Sequence, residues 1–213
     1  MYKNLKEIID NFNTTPFLFV GSGITRRYYD LPSWKGLLEI FISKISSDEF
    51  AFASYENKAK ELIRNESELY PKIAELVEKD FNNLWFKNEK GIRNLDDYYS
   101  NKVKKESVSP FKAEIAMYIK NQSNIVPTYI EEIEKLKKLS IKSISGIITT
   151  NYDNFFEENF EGYKRYVGQD ELIFSGIQGI GEIYKIHGTI EEPKSIIIDT
   201  KDYNEFEDKS NYL

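Results

Sequence analysis

The chain has 213 residues, 40% hydrophobic and 15% aromatic, which is enough to bury the core of one domain. Its 29 basic and 35 acidic residues are intermixed and give a net charge of −6, which argues against nucleic acid as a partner. The absence of cysteine excludes disulfides, thiolate zinc sites and a cysteine nucleophile, and the lack of a signal peptide or a long apolar run predicts a cytoplasmic protein without a membrane partner.

The N-terminal part of the chain is predicted to alternate between helix and strand. Apolar residues recur at helical spacing over residues 5–12 and again over residues 34–45, where the helix begins near Pro32 and Ser33. Between these two helices, the continuous apolar run at residues 17–20 predicts a buried parallel strand.

The middle of the chain, residues 48–139, is predicted to be mostly helical. Its apolar residues are spaced as in helices, and Pro110 and Pro127 both suit the first turn of a helix. We expect a helical appendage that covers a cleft and is inserted into an α/β domain made of residues 1–47 and 140–213.

Three further strands are predicted at residues 144–149, 182–186 and 195–198, followed by a helix that Thr200 caps. Strands that alternate with helices indicate an α/β fold with a mostly parallel sheet, in which ligands bind beyond the carboxyl ends of the strands. Polar or glycine-rich loops follow three strands, at residues 21–25, 149–153 and 187–189. We therefore expect a functional site where these loops meet.

The first loop, Gly21-Ser22-Gly23-Ile24-Thr25, has two glycines that would let backbone N–H groups approach a pyrophosphate. However, Arg26 occupies the position of the third glycine of the ordinary dinucleotide-binding pattern. A plain strand-to-helix turn is an equal alternative for this loop alone.

The second loop places Asn151 and Asp153 two residues apart, so in an extended segment they share one face. An amide and a carboxylate on one face can hold a ribose hydroxyl and a carboxamide. The alternative is that Asp153 or Asn154 caps the helix that the following phenylalanines predict.

The third loop contains His187, the only histidine of the chain. Its titration range makes it the obvious general base near neutral pH. A lone histidine is more often structural, but the placement of His187 at the same sheet edge as the other two loops favours catalysis.

The order of these motifs resembles the sirtuin-like domain of bacterial antiphage defence proteins. The similarity lies in Gly-Ser-Gly-Ile-Thr at 21–25, Leu-Pro-Ser-Trp at 31–34, Thr-Thr-Asn-Tyr-Asp at 149–153 and Lys-Ile-His-Gly at 185–188, and extends to residues 168–175, 180–185 and 193–198. The resemblance implies one Rossmann-like domain over residues 1–213 that binds NAD as its substrate.

The resemblance also implies roles for individual residues. Diphosphate contacts are expected from Gly21, Ser22, Gly23 and Thr25. Asn151 would contact the nicotinamide ribose and the attacking water, Asp153 the carboxamide, and His187 would be the base. Trp34 would lie beside the ribose or, equally, in the helix core.

Two features depart from the family pattern. Sirtuin deacylases carry a four-cysteine zinc module, which a chain without cysteine cannot form, so no zinc is expected. The strand with the glycine-serine loop that holds the adenosine ribose would follow Leu213. We therefore expect this chain to be a piece of a longer protein.

The function that the resemblance implies is hydrolysis of NAD to nicotinamide and ADP-ribose, by which a homo-oligomeric or multidomain protein depletes NAD during phage infection and aborts the infection. Two alternatives remain at this stage. One is an NAD-dependent protein deacylase, and the other is a non-catalytic module that senses NAD or ADP-ribose.

Overall fold

The computed structural model describes residues 15–168 and 181–210 of the chain. The strands are β1 (Phe17–Val20), β2 (Gly146–Thr149), β3 (Lys164–Val167) and β4 (Glu182–Lys185). The helices are α1 (Gly23–Tyr29), α2 (Trp34–Ile45), α3 (Ala51–Lys60), α4 (Leu69–Lys87), α5 (Asp97–Glu106), α6 (Pro110–Gln122), α7 (Ile130–Ser143), α8 (Phe155–Asn159) and α9 (Thr200–Ser210). The helix predicted at residues 5–12 and most of the 168–175 motif lie outside the described residues.

The four strands form one parallel sheet in the order β1-β2-β4-β3. Gly146 of β2 pairs with Phe17 of β1 and with Glu182 of β4. The strands therefore begin and end at the same register, and their carboxyl ends meet at one edge of the sheet. The predicted α/β class is confirmed, and the parallel sheet flanked by helices is Rossmann-like.

One predicted strand is wrong and one strand was not predicted. The apolar run at residues 195–198 does not form a strand. Ser195 ends a 3₁₀ turn (Pro193–Ser195), and residues 196–198 are irregular. Ile196 and Ile198 are fully buried, so this run is apolar because it packs into the core. The unpredicted strand is β3, a short edge strand whose sequence Lys-Arg-Tyr-Val lacks the apolar run of a buried strand.

The expectation that residues 17–20 form a buried strand is only half right. β1 is parallel, but it lies at one end of the described sheet and pairs with β2 alone. Phe19 is 70% exposed, and Phe17 and Leu18 are each 37% exposed. Its place at the end of the sheet, rather than its composition, explains this exposure.

Helix starts mostly follow the predicted capping signals. Ser33 caps α2 by accepting a hydrogen bond from the N–H of Gly36, and Ser109 caps α6 directly before Pro110. The predicted cap at Thr200 is wrong by one residue. Asp199 Oδ1 accepts from the N–H of Asp202 at 2.8 Å, because a carboxylate one residue earlier reaches the free N–H groups of the first turn better than the Thr200 hydroxyl does.

Every regular element between residues 48 and 139, a stretch that the structure describes throughout, is helical, as the spacing predicted. Phe41 of α2, Phe81 of α4 and Phe111 of α6 meet ring to ring, with centroids 5.4–5.6 Å apart, and form the centre of the helical core. Within the described ranges, no helix has both the length and the apolar composition that crossing a bilayer requires. The division into an α/β domain and an insertion stays a prediction.

Candidate functional site

A cavity of about 200 Å³ opens at the carboxyl ends of β1, β2 and β4. The loops that follow these strands supply its polar groups, and α2, α6 and α9 supply most of its apolar wall. The lining residues are Ser22, Thr25, Leu31, Pro32, Ser33, Trp34, Leu37, Ile119, Thr150, Asn151, Tyr152, Asp153, His187 and Tyr203.

Ser22 in the loop after β1 and Thr25 in the first turn of α1 line the cavity, and the Thr25 hydroxyl donates to the Ser22 carbonyl at 3.3 Å. Gly21 and Gly23 do not line the cavity. A Cβ atom built on Gly23 would meet no atom of residues 15–168 or 181–210 within 4 Å, so packing against these residues does not require a glycine there. The space beside Gly23 is open to a ligand.

Asn151 connects the loop after β2 to the loop after β1. Its side chain is buried, and its Nδ2 donates to the carbonyl oxygen of Gly21 at 3.2 Å. Its backbone N–H donates to Thr149 Oγ1 at 3.1 Å. These two bonds hold Asn151 at the cavity wall.

Asp153 lies just before the start of α8 and also at the wall of the cavity. Its Oδ1 accepts from the N–H of Phe155, the first residue of α8, at 3.0 Å, and the residue also lines the cavity. Burial raises the pKa of the Asp153 carboxyl to about 6, although the nearby Lys185 ammonium and the Phe155 N–H lower it. At pH 7 the Asp153 carboxyl is therefore ionised in most of the protein molecules.

His187 also lines the cavity, and its ring meets the rings of Tyr203 and Phe206 edge to face at 5.5 and 5.4 Å. Burial among these rings lowers the pKa of His187 below its usual 6.5, so the imidazole is neutral at pH 7. Neither ring nitrogen forms a hydrogen bond with the part of the chain that the structure describes.

The residue after His187 must be glycine. Gly188 has a φ of +90°, and a Cβ atom there would lie 2.2 Å from the carbonyl oxygen of Ser195. The close approach is stabilised by the N–H of Ile197, which donates to the carbonyl of His187 at 3.0 Å. The irregular segment that was predicted as a strand thus fixes the backbone of His187.

Residues 145–213 match the family model of the SIR2-like domain. These residues contain Asn151, Asp153 and His187, whereas the loop at 21–25 and Trp34 lie outside the match. No curated protein matches the chain. SIR2-like domains are typically NAD-dependent enzymes, so the match supports a sirtuin-like, NAD-related function.

Five of the predicted site residues therefore line one cavity: Ser22, Thr25, Asn151, Asp153 and His187. Gly21 reaches the site only through its carbonyl oxygen, and Gly23 lies at the start of α1. Trp34 lines the cavity, and its ring stacks on those of Tyr70 and Tyr203 at 5.7 and 6.0 Å; its place beside a ribose stays a prediction.

Sequence reasoning missed the apolar wall of the cavity. Ile119 of α6 and Tyr203 of α9 were read only as helix positions, yet both line the cavity. Their helical spacing carries no signal of this role, because it depends on how α6 and α9 dock. The buried ion pair between Lys112 Nζ and Asp202 Oδ1, at 2.6 Å, joins these two helices.

Proposed function

We propose that this chain hydrolyses NAD to nicotinamide and ADP-ribose in the cavity at the carboxyl ends of β1, β2 and β4. The observation that carries the proposal is that Asn151 and His187, from loops after different strands, line one cavity together with Ser22. The match to the SIR2-like domain over residues 145–213 supports NAD as the ligand.

The size of the cavity suggests which part of NAD it takes. Its volume of about 200 Å³ is below the roughly 300–1,000 Å³ of pockets that enclose drug-sized ligands. It suits the nicotinamide and its ribose better than a whole dinucleotide. In our proposal Asp153 accepts a hydrogen bond from the carboxamide, and the diphosphate lies against Gly21, Ser22, Gly23 and Thr25, where the space beside Gly23 is open.

The chemistry needs a positioned water and a proton acceptor. The bond between C1′ and the nicotinamide nitrogen breaks, its electron pair stays on the nitrogen, and the ribose passes through an oxocarbenium-like state that the water oxygen attacks. Asn151 would orient this water, and the neutral imidazole of His187 would accept its proton. The products are nicotinamide, ADP-ribose and a proton.

The biological setting that we propose is NAD depletion in antiphage defence by a larger or oligomeric protein. It is supported by the order of the sequence motifs. Expression of the chain in bacteria should lower cellular NAD during phage infection, and the Asn151→Ala variant should not. Equal NAD levels with both proteins would argue against this setting without affecting the proposed chemistry.

The experiment that tests the proposal is nicotinamide release from NAD by wild type and by Asn151→Ala. Loss of water positioning should lower turnover by roughly 100-fold or more. Asn154→Ala is the matched control, because Asn154 lies in the same loop but does not line this cavity; its Nδ2 donates to Glu191. Wild-type turnover by a folded Asn151→Ala protein would contradict the proposal.

The same assay, repeated with and without an acetyl-lysine peptide, separates the alternatives. Nicotinamide release without peptide indicates hydrolysis, whereas release only with peptide indicates a deacylase. Tight NAD binding without release under either condition would identify a sensing module.

A further inference from the structure

Lys185, at the end of β4, is a charged residue that the proposed chemistry does not use. Its side chain has no exposed surface. A lysine ammonium loses its hydration in such a place, which is unfavourable unless other groups replace the water. The groups that contact the Lys185 ammonium must therefore replace its hydration.

The ammonium contacts two elements that follow β2. Nζ donates a hydrogen bond to the backbone carbonyl oxygen of Asp153. It also forms an ion pair with Glu157 of α8, whose Oε1 lies 3.0 Å away without the alignment of a hydrogen bond. One buried charge thus connects β4 to the loop that carries Asn151 and Asp153.

The position of Lys185 in the sheet links it to both sides of the cavity. It pairs in register with Thr149 of β2, whose hydroxyl accepts the backbone N–H of Asn151 at 3.1 Å. His187 follows two residues later, in the loop directly after β4. A shift of the Lys185 side chain would therefore move the loop of Asn151 relative to His187.

Lys185 also acts on the charge of Asp153. Burial raises the pKa of the Asp153 carboxyl, and among the surrounding groups Lys185 opposes this most strongly. Among the described residues, Glu157 of α8 also faces Asp153 and raises its pKa, and Tyr29 of α1 lies near it. Without the ammonium, more of Asp153 would be protonated at neutral pH.

We propose that Lys185 is a positioning residue for the NAD site, which holds the loop with Asn151 and Asp153 through its hydrogen bond to the Asp153 carbonyl. This inference rests on the proposed function. The alternative is a purely structural ion pair, which apolar or neutral residues can often replace without loss of stability.

The test compares Glu157→Gln with the double variant Lys185→Met/Glu157→Gln. The single variant leaves the buried ammonium without its counter-ion, so its melting temperature should fall. It keeps the hydrogen bond from Lys185 to the Asp153 carbonyl, so its folded form should turn over NAD within about threefold of wild type. The double variant removes both members of the ion pair, so no unpaired buried carboxylate remains. It should keep its melting temperature but lose roughly 10- to 100-fold in turnover at pH 7.

A second readout distinguishes positioning from stability. Because Asp153 loses its neighbouring positive charge, the part of the acid limb of the pH–rate profile that Asp153 contributes should move to higher pH in the double variant. The Asp153 carboxyl, followed by ¹³C NMR, should likewise titrate at a higher pH than in Glu157→Gln. A folded double variant with the turnover, pH profile and titration of Glu157→Gln would overturn the inference.

The comparison of the variants stays decisive if wild type is inactive or if the Met variant does not fold. If wild type releases no nicotinamide, the proposed hydrolysis fails, and the NMR titration still decides whether Lys185 controls Asp153. If the Met variant does not fold, Lys185→Gln/Glu157→Gln replaces it, because a neutral amide fills most of the same space. Lower turnover with a raised acid limb then supports the inference, and unchanged values overturn it.

Discussion

Strands β1 and β4 belong to the same parallel sheet, but their composition and their burial are opposed. β1 has the sequence Phe-Leu-Phe-Val and is largely exposed, with Phe19 70% accessible. β4 has the sequence Glu-Ile-Tyr-Lys and is buried at all four positions. β4 lies between β2 and β3, whereas β1 pairs with β2 alone. Position in the sheet decides burial here, and one of the charges that β4 buries, Lys185, contacts the loop of the candidate site.

The largest effect that follows from this comparison concerns the glycines after the two strands. Gly188→Ala, after β4, should destabilise the fold by roughly 3–5 kcal/mol in urea denaturation, because a Cβ would lie 2.2 Å from a backbone oxygen at a φ of +90°. Gly23→Ala, after β1, should change stability by less than about 0.5 kcal/mol. If the diphosphate approaches Gly23, the same variant should nevertheless raise KM for NAD. A stable Gly188→Ala protein would show that the backbone here can rearrange.

The next effect compares the strands themselves. Ile183→Ala in β4 removes a side chain that is 1% exposed and should destabilise the protein by roughly 2–5 kcal/mol. Phe19→Thr in β1 should stay within about 0.5 kcal/mol, since that ring is mostly in solvent. Thermal or urea unfolding of both variants measures the difference. Equal destabilisation would mean that β1 is covered in solution.

The third effect compares the polar residues beyond the strands. His187→Gln should lower turnover by about 100-fold with little change in NAD binding, whereas Ser22→Ala should raise KM and leave kcat unchanged. Wild-type turnover should rise with pH up to the lowered pKa of His187, because only the neutral imidazole accepts a proton. Asp153, with a pKa of about 6, titrates in the same range. The pH–rate profile of Asp153→Asn therefore shows which of the two residues produces the fall in turnover at low pH. An unchanged profile in His187→Gln would make His187 structural.

The smallest effect concerns a buried carboxyl away from the sheet. Burial, aided by Asp199, raises the pKa of Glu78 to about 7, and Ser109 and Lys112 lower it only partly. The folded protein then holds this proton more tightly than the unfolded chain, and the associated stability is lost as pH rises from about 4.5 to 7. Glu78→Gln should therefore stabilise the protein by roughly 1–3 kcal/mol at pH 8 and much less at pH 4. Equal stabilisation at both pH values would contradict this explanation.

The sequence was sufficient to predict the features that depend on local spacing or on sheet topology. Asn151, Asp153 and His187 were expected at one edge because parallel strands align their carboxyl ends, and the structure places them around one cavity. It was not sufficient for β3, an edge strand with a polar sequence, or for the run at residues 195–198, whose apolar residues pack into the core outside the sheet.

Other features depend on contacts between distant segments, and no local pattern predicts them. Tyr203 reaches the cavity because α9 docks through the ion pair of Asp202 and Lys112. Lys185 could have been singled out from the sequence. Lysine is rarely buried, and here it lies near the end of a predicted strand, directly before Ile186-His187-Gly188.

The pairing of β1 with β2 also has a consequence for how the molecule assembles. Phe17 lies beside Gly146, so this first pair of strands closes a loop that contains more than half of the chain. Closing such a loop is slow because its entropy is lost before the strand contacts form, whereas the helices between the two strands make mainly local contacts. We therefore expect α3 to α6 to gain structure first and the NAD cavity to be completed in the slowest kinetic phase of refolding, when the carboxyl ends of β1, β2 and β4 come together.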